Sequence, residues 1–312
     1  MAIPTLDLLA TFARVADKDG FTRAARDLGV SKATVSKQIA ALERDLGVRL
    51  FHRTTRTLTL TEAGQRAHQR ALRILEEVEA IREEAGEART SPRGRLKIAA
   101  PMSFASEWLG PALPEFLTAY PEIQLELSLD DRRIDLIGEG YDAALRISDM
   151  PDSSLSARKL TEVSIHVVAA PRYWAARGKP THPFDLAPHA CFRYANLPAA
   201  GVWRFQNRAG EEARVTVDGP LCVNNGAIEL PALVAGLGVA RLPDFMIARG
   251  VAAGDLEIAL SDWCGAPYWL HVLTPSGRSQ TRKLKAFSEF LHDRFGAQRA
   301  PWRALMAQPG TK

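Results

Sequence analysis

"FTRAARDLGVSKATVSKQIAALERDLGVRLF", residues 21–51, reads as two helices around one break. Ala24, Ala25 and Leu28 share the face of a short helix that stops at Gly29. A residue just past a helix end often needs positive φ, which glycine adopts at little cost. Ser31 follows as N-cap of a longer helix, which buries Val35, Ile39, Leu42 and Leu46 at spacings of four, three and four. Upstream, Leu6, Leu9, Ala13 and Ala16 mark an earlier amphipathic helix that Gly20 ends, and Thr22 stands before the short one. Ala25 is small enough for two helices to cross closely, and Val30 plugs the turn. Two short helices around a tight glycine turn make a helix-turn-helix.

The long helix has a second face. Opposite Val35 and Ile39 lie Ala33, Lys37 and Ala40, flanked by Thr34 and Ser36. A helix this slim fits a DNA major groove about 12 Å wide. Thr22, Ser31, Lys32 and Gln38 complete the candidate DNA contacts on the two helices. The plain alternative is a helical hairpin inside a core. The next stretch, "GVRLFHRTTRTLTLTEAG" at residues 47–64, weighs against that alternative. Its Thr-rich alternation predicts a β-hairpin with Arg53 and Arg56 near the tip, a wing whose arginines contact phosphates or enter the minor groove. Charge agrees. Residues 1–60 hold ten Lys/Arg against six Asp/Glu and so account for the whole formal net charge of +4. A basic head on a neutral body points to a polyanion partner for the head alone.

The head resembles the winged helix-turn-helix of LysR-type transcriptional regulators. "FARVADKDGFTRAARDLGVSKATVSKQIAALERDLGVRLFHRT" followed by "LTLTEAG" carries the likeness. Family members often place Gln-Pro-Ala at the start of the recognition helix. Lys32-Ala33-Thr34 stands there in this chain, which leaves the fold intact and puts any inherited operator sequence in doubt.

After the wing, Ala67, Ala71, Ile74, Val78, Ile81, Ala85 and Ala88 recur at alternating spacings of four and three, a heptad seam. The expected outcome is a linker helix that pairs two chains, started at residues 61–64; packing on its own domain is the alternative. "RTSPRG" at residues 89–94 breaks it. Beyond it, strand and helix patterns alternate. "GRLKIAAP", "IQLELSLDD" and "YDAALRIS" read as strands, "SEWLGPALPEFLTAYP" and "RRIDLIGEG" as helices, which predicts a parallel sheet. "VSIHVVAAP", "VARLPDF" and "YWLHVLTP" continue the strands, with "GAIELPALVAGLG" and "TRKLKAFSEFLHDRFG" as helices. The chain leaves a first lobe and returns to it, with residues 163–171 and 268–275 as crossing strands. "GRLKIAAPMSF", "LPEFLTAYPEIQLELSLDD", "GYDAALRI", "SSLSARKL" and "GLGVARLPDF" resemble, in this order, the LysR-family effector domain. That resemblance implies a periplasmic-binding-protein-like (type 2) fold of two Rossmann-like lobes with a small-molecule cleft.

The expected fold class is therefore α/β with a mainly α-helical head. The expected division is a winged helix-turn-helix at 1–61, a linker helix at 62–90 and an effector domain at 91–312, with lobe I at 94–165 and 269–300 and lobe II at 166–268. Open α/β sheets bind ligands at strand carboxyl ends. "APMSF" ends a strand and opens a helix, so Ser103 and its neighbouring amides favour an anion there, a carboxylate by preference. The resemblance implies that the matching hydroxyl contacts the effector. Phe104, Ser148, Arg193, Tyr194, Asn224, Asn225 and Pro243 are the other effector candidates, most of them at strand ends. Plainer roles compete: Ser103 as an N-cap, Asn224 and Asn225 as turn formers.

No HExxH, GxSxG, full P-loop or CxxC occurs, and "GLGVAR" lacks the third glycine of a dinucleotide fingerprint. No cofactor or metal is expected, and an enzyme that turns over its ligand is the remote alternative. Cys191, Cys222 and Cys264 are three thiols without metal-like spacing, the pattern of a reduced cytoplasmic protein; a redox-sensing regulator on the same scaffold is the nearer alternative. The N-terminus lacks a basic n-region, Asp7 interrupts its apolar stretch, and the apolar run at 230–240 is too short to span a bilayer. The expected partners are double-stranded operator DNA, a small-molecule effector, a second copy of the chain with tetramers left open, and RNA polymerase. No membrane partner is expected.

Overall fold

The structure is a computed structural model. It describes residues 3–18, 20–53, 58–84, 91–132, 134–149, 155–197, 199–265, 267–275 and 281–307. The chain forms two compact units, one built on the first 90 residues and one on most of the remainder.

In the first unit α1 (Leu6–Asp17), α2 (Phe21–Leu28) and α3 (Lys32–Leu46) precede an antiparallel hairpin of β1 (Phe51–Arg53) and β2 (Leu58–Leu60), and α4 (Glu62–Glu84) follows. Gly29 closes α2 at φ 66° and Gly47 closes α3 at φ 70°, the left-handed conformation glycine supplies cheaply. Phe12, Val15, Val35, Ile39, Leu42 and Leu50 are fully buried together. Each such side chain contributes roughly 1.5–3 kcal/mol by leaving water. The stripe differs from the expected one at its ends. Leu46 is 38% and Val30 41% exposed, and Leu6 is exposed too, because the wing and the short turn leave those positions uncovered. Phe12 and Val15 seal the head instead. Thr22 lies inside α2 rather than before it, since Gly20 occupies the N-cap position.

The α4 seam divides. Ala67 and Ala71 join the head core, and His68 Nε2 lies 3.1 Å from Asp17 Oδ1, so the first turns of α4 pack on their own domain against α1. Ile74 and Ile81 are exposed farther along. Ala85 and Ala88 lie outside the described residues. Gly64 has a steric reason: a Cβ there would stand 2.0 Å from the Leu50 carbonyl oxygen.

The second unit begins with β3 (Gly94–Ala100). One continuous helical path follows, made of α5 (Met102–Phe104), a π-helical turn (Ala105–Leu109) and α6 (Gly110–Ala119). Then come β4 (Ile123–Leu129), β5 (Ala143–Ser148), β6 (Leu155–Val163), β7 (Ile165–Ala169) and α7 (Pro171–Arg177). Short strands continue as β8 (Arg193–Tyr194), β9 (Val202–Gln206), β10 (Glu212–Thr216) and β11 (Cys222–Val223). The chain proceeds through α8 (Glu229–Val234), β12 (Ala240–Pro243), α9 (Asp244–Ala252), β13 (Glu257–Ala259) and β14 (Tyr268–Pro275) to α10 (Arg282–Phe295) and α11 (Pro301–Met306).

The first lobe holds a five-stranded sheet in the order β4-β3-β5-β14-β6, and the second a three-stranded sheet in the order β12-β7-β13. The expected all-parallel arrangement is corrected: β3 runs parallel to β4 and β5, but β14 is antiparallel to both β5 and β6, and β7 is antiparallel to its neighbours. A returning strand that enters from the other lobe arrives in that direction. Neither expected crossing strand crosses. β6 ends at Val163 in one sheet and β7 starts at Ile165 in the other, so Ser164 makes the passage, and β14 lies wholly in the first sheet. The helix expected for "RRIDLIGEG" is a turn. Asp135 Oδ1 accepts the Gly138 amide at 2.8 Å, an alternative to the helical bond, and Gly140 takes φ 74°. One large apolar cluster runs through both sheets' helices, from Leu96 and Phe104 to Phe245, Phe287 and Trp302.

Candidate nucleic-acid interface and ligand cleft

On the head, Ser31 caps α3 as expected: its Oγ accepts the Thr34 amide at 3.0 Å and lies 2.8 Å from Thr34 Oγ1. Thr22, Ser31, Lys32, Ala33, Thr34 and Lys37 are exposed, while Ser36 and Ala40 are half-buried. The first turns of the α3 surface away from the core are thus shallow, with short side chains around Lys32 and Lys37, and Arg44 is exposed farther along. Gln38 is set back from that surface; the Thr11 hydroxyl donates to its carbonyl oxygen at 3.0 Å, so it serves the packing of α1 on α3. Arg53 closes β1, and Arg56 lies outside the described residues.

A residue that the sequence reading passed over fixes the wing to α3. Glu43 is 6% exposed and accepts the amides of Leu50 at 2.9 Å and Phe51 at 3.4 Å, with Arg49 Nη1 at 3.0 Å. These bonds satisfy a carboxylate that burial would otherwise penalise. Its signal was available: Glu43 follows Ile39 by four positions, on the buried stripe.

In the second unit a cavity of about 340 Å³ opens between the lobes. Such volumes suit small ligands. Of the sequence candidates, Ser103, Tyr194 and Pro243 line it. Phe104 does not. It is fully buried, with its ring edge-on to Phe245, Phe295 and Trp302, because the first turn of the helix presents alternate residues to cleft and core. Ser148 ends β5 and offers its carbonyl to His271 Nε2 at 3.3 Å, apart from the cavity lining. Arg193 points instead to Asp218, 3.3 Å away, and Asn224 is exposed with its carbonyl 3.4 Å from Asn196 Nδ2. Asn225 caps the turn at Gly226–Ile228 through the Ala227 amide and also accepts Ser103 Oγ at 2.8 Å. That bond joins the two lobes across 122 positions of sequence.

The expected anion site at the helix start is already filled. Asp131 Oδ1 accepts the Met102 amide at 3.0 Å, so a carboxylate of the chain itself stands where the ligand's was expected. The cations lie elsewhere in the lining, at Arg146 and Arg241. Arg241 projects from β12, and its guanidinium lies 5.0 Å from the Phe205 ring centroid, a cation–π contact. Burial lowers its pKa. Glu229, the first residue of α8, also lines the cavity at 2% exposure, and burial pushes its carboxyl up to about 7. The Tyr194 phenol is pushed up to about 12, first by burial and then by the Asp131 and Glu229 carboxylates, against the bond from Asn196. Both missed residues were visible as oddities: Arg241 is the one charge in "VARLP", and Glu229 the one charge in "GAIELPALVAGLG".

Among the described residues no group of His, Cys, Asp and Glu could hold a metal ion, and no helix is long and apolar enough to cross a membrane. The comparisons agree with both units. Residues 6–65 match the family of bacterial regulatory helix-turn-helix proteins, lysR family, and residues 89–296 match the LysR substrate binding domain. The chain is 35% identical to the HTH-type transcriptional regulator PtxR of Pseudomonas aeruginosa, over 97% of this chain and 96% of that one. It is 36% identical to the HTH-type transcriptional regulator DmlR of Escherichia coli, over 94% and 95%. Among solved structures, CrgA, a LysR-type transcriptional regulator from Neisseria meningitidis, matches with TM-score 0.60 and 30% identity, covering 93% of this chain and 98% of that one. A DNA-binding helix-turn-helix head joined to an effector-binding body thus makes this chain a member of the LysR family of transcriptional regulators.

Proposed function

We propose that the outer face of α3 reads operator DNA in the major groove and that a small anionic metabolite, bound in the cleft at Arg241, changes how the protein holds that DNA. Lys32, Ala33, Thr34 and Lys37 form the reading face, with Ser31 and Thr22 against the adjacent backbone. The wing, with Arg53 and Arg56, holds the flanking phosphates or minor groove. The observation that carries this reading is the asymmetry of α3: Val35, Ile39 and Leu42 are fully buried while the opposite side is exposed and made of short side chains.

A dimer follows from α4. Ile74 and Ile81 are exposed and Val78 is only half-buried on the seam, and a second copy of the helix is the natural cover. Paired heads then meet half-sites one turn of DNA apart. The functional division at residues 61 and 90 rests on the same features, and the cytoplasm is where such a protein would meet its operator. A ligand shifts an arrangement only by binding two forms unequally. The Ser103–Asn225 bond, which ties the lobes beside the cavity, is the contact such a ligand would make or break.

A thiol-based sensor has less support. Burial pushes the Cys191 thiol up to about 12 and raises Cys264 as well, which disfavours the reactive thiolate at these two positions, while Cys222 is exposed.

The test is recovery of genomic DNA fragments by the full-length protein, followed by footprinting. The expected result is a protected site with two half-sites about 10 base pairs apart or a multiple of that, bound more weakly as salt rises. Uniform, sequence-independent coverage would overturn the reading.

A further inference from the structure

Two of the charges that line the cleft, of opposite sign, have no ionic partner among the described residues. Arg241 lines the cavity and lies over Phe205, and among the described residues no carboxylate pairs with it. Glu229 lines the same cavity at 2% exposure, and among the described residues no hydrogen-bond donor or cation pairs with its carboxyl. The other acids nearby are occupied: Asp131 accepts the Met102 amide, and Asp130 accepts Arg132 through its amide at 2.9 Å and its Nε at 2.5 Å. Buried polar groups are normally satisfied, and a buried carboxyl that faces a cavity without a partner is the kind of exception that a ligand resolves.

The two charges have different neighbours. Arg241 projects from β12 over the Phe205 ring, whereas Glu229 begins α8, and burial raises its carboxyl. Asp131 and Glu229 both act on the Tyr194 hydroxyl, which gathers acid and phenol at one end. Much of the remaining wall is apolar, with Phe192, Trp203, Leu242, Phe245 and Tyr268. Resting on the reading of this cleft as an anion site, we propose that its ligand is an amino carboxylate: the carboxylate lies against Arg241, and a protonated amine, held off by an apolar spacer, lies against Glu229.

The alternatives fit less well. A second carboxylate placed at the Glu229 end would meet a like charge and leave that acid without a partner. A simple hydrocarbon acid would leave Glu229 unpaired. An amine at Glu229 forms a charge-assisted bond in a water-poor site, where it is strong.

The test is calorimetric titration of the full-length protein with matched pairs of probes, para-(aminomethyl)benzoate against para-toluate and ε-aminocaproate against caproate. The expected result is that at least one amino acid binds roughly tenfold or more tightly than its parent acid, the scale of a bond to a charged group. Glu229→Gln, neutral and of the same shape, should bring that pair to within about twofold. Arg241→Met should weaken both members. The comparison on the unmodified chain needs no variant to fold. Parent acids that bind as tightly as their amino partners, and that Arg241→Met weakens, would overturn this proposal and leave the anion cleft standing. An amine advantage that survives Glu229→Gln would also overturn it. No binding by any of the four probes at millimolar concentration would overturn both.

Discussion

The head and the cleft handle charge in opposite ways. On the head, Lys32 and Lys37 stand in water on a shallow surface, and the buried acid Glu43 is engaged by Leu50, Phe51 and Arg49. In the cleft, Glu229 is withdrawn from water and Arg241 is half-buried, and among the described residues neither has an ionic partner. Exposed cations attract a polyanion at long range, weakly per contact, and salt screens them. Desolvated charges act at short range and select a ligand that fits. One region is suited to finding a long, uniformly charged partner, and the other to choosing among small ones.

The contrast is sharpest at Arg241. Arg241→Met should weaken the binding of para-toluate roughly a hundredfold, since it removes a charged partner from a dry site. Affinity for DNA should stay within about twofold, because DNA is held at long range by surface charge elsewhere. Calorimetry and fluorescence anisotropy measure the two, and a matched loss in both would erase the distinction between the regions. Next in size is Glu43→Gln. It keeps the shape but weakens three bonds to a carboxylate, and should cost the head roughly 2–3 kcal/mol in denaturant unfolding. A change near zero would mean that the wing is held by its apolar residues alone.

The pH response of the body should be smaller. Burial pushes the Glu229 carboxyl from its ordinary value of 4.5 up to about 7 in the folded protein. The folded state therefore holds the proton more tightly, and the associated stability is complete below the unfolded pKa and declines as pH rises through about 7. The full effect is a few kcal/mol at most. Unfolding of the wild type and of Glu229→Gln, compared across this range, should show a shallower decline in the variant; identical slopes would place the proton elsewhere. Smallest is Ser103→Ala, which removes one neutral bond between the lobes and should cost about 1 kcal/mol. It should shift the para-toluate titration by severalfold while DNA affinity holds. An unshifted titration would remove Ser103 from the ligand's surroundings.

The two regions also differed in how far the sequence revealed them. The outward face of α3 lies on one helix, so its exposed residues follow from a single projection, and Gly29 and Ser31 mark where that helix starts. The head was legible except at its ends, where Val30, Leu46 and Leu6 are exposed because the wing and turn cover less than a continuous helix would. The cleft draws on β8, α8, β12 and the starts of α5 and β7, which only the tertiary fold brings together. Strand ends therefore supplied Ser103, Tyr194 and Pro243 but also Ser148, Asn224 and Arg193, which face other partners. Phe104 failed because neighbouring positions in a helix face different sides. The carboxylate that pre-empts the helix start, Asp131, is 29 positions from Met102, a distance no local pattern spans.

The central claim is that the outward face of α3 meets DNA. Its most direct test is the affinity of the full-length protein for a recovered genomic site, measured against salt for the wild type and for Lys37→Ala with an unchanged melting profile. The account predicts weaker binding for the variant, by roughly 1–2 kcal/mol, and a salt slope or base preference that changes with it. Identical affinity, slope and base preference in the two proteins would contradict it.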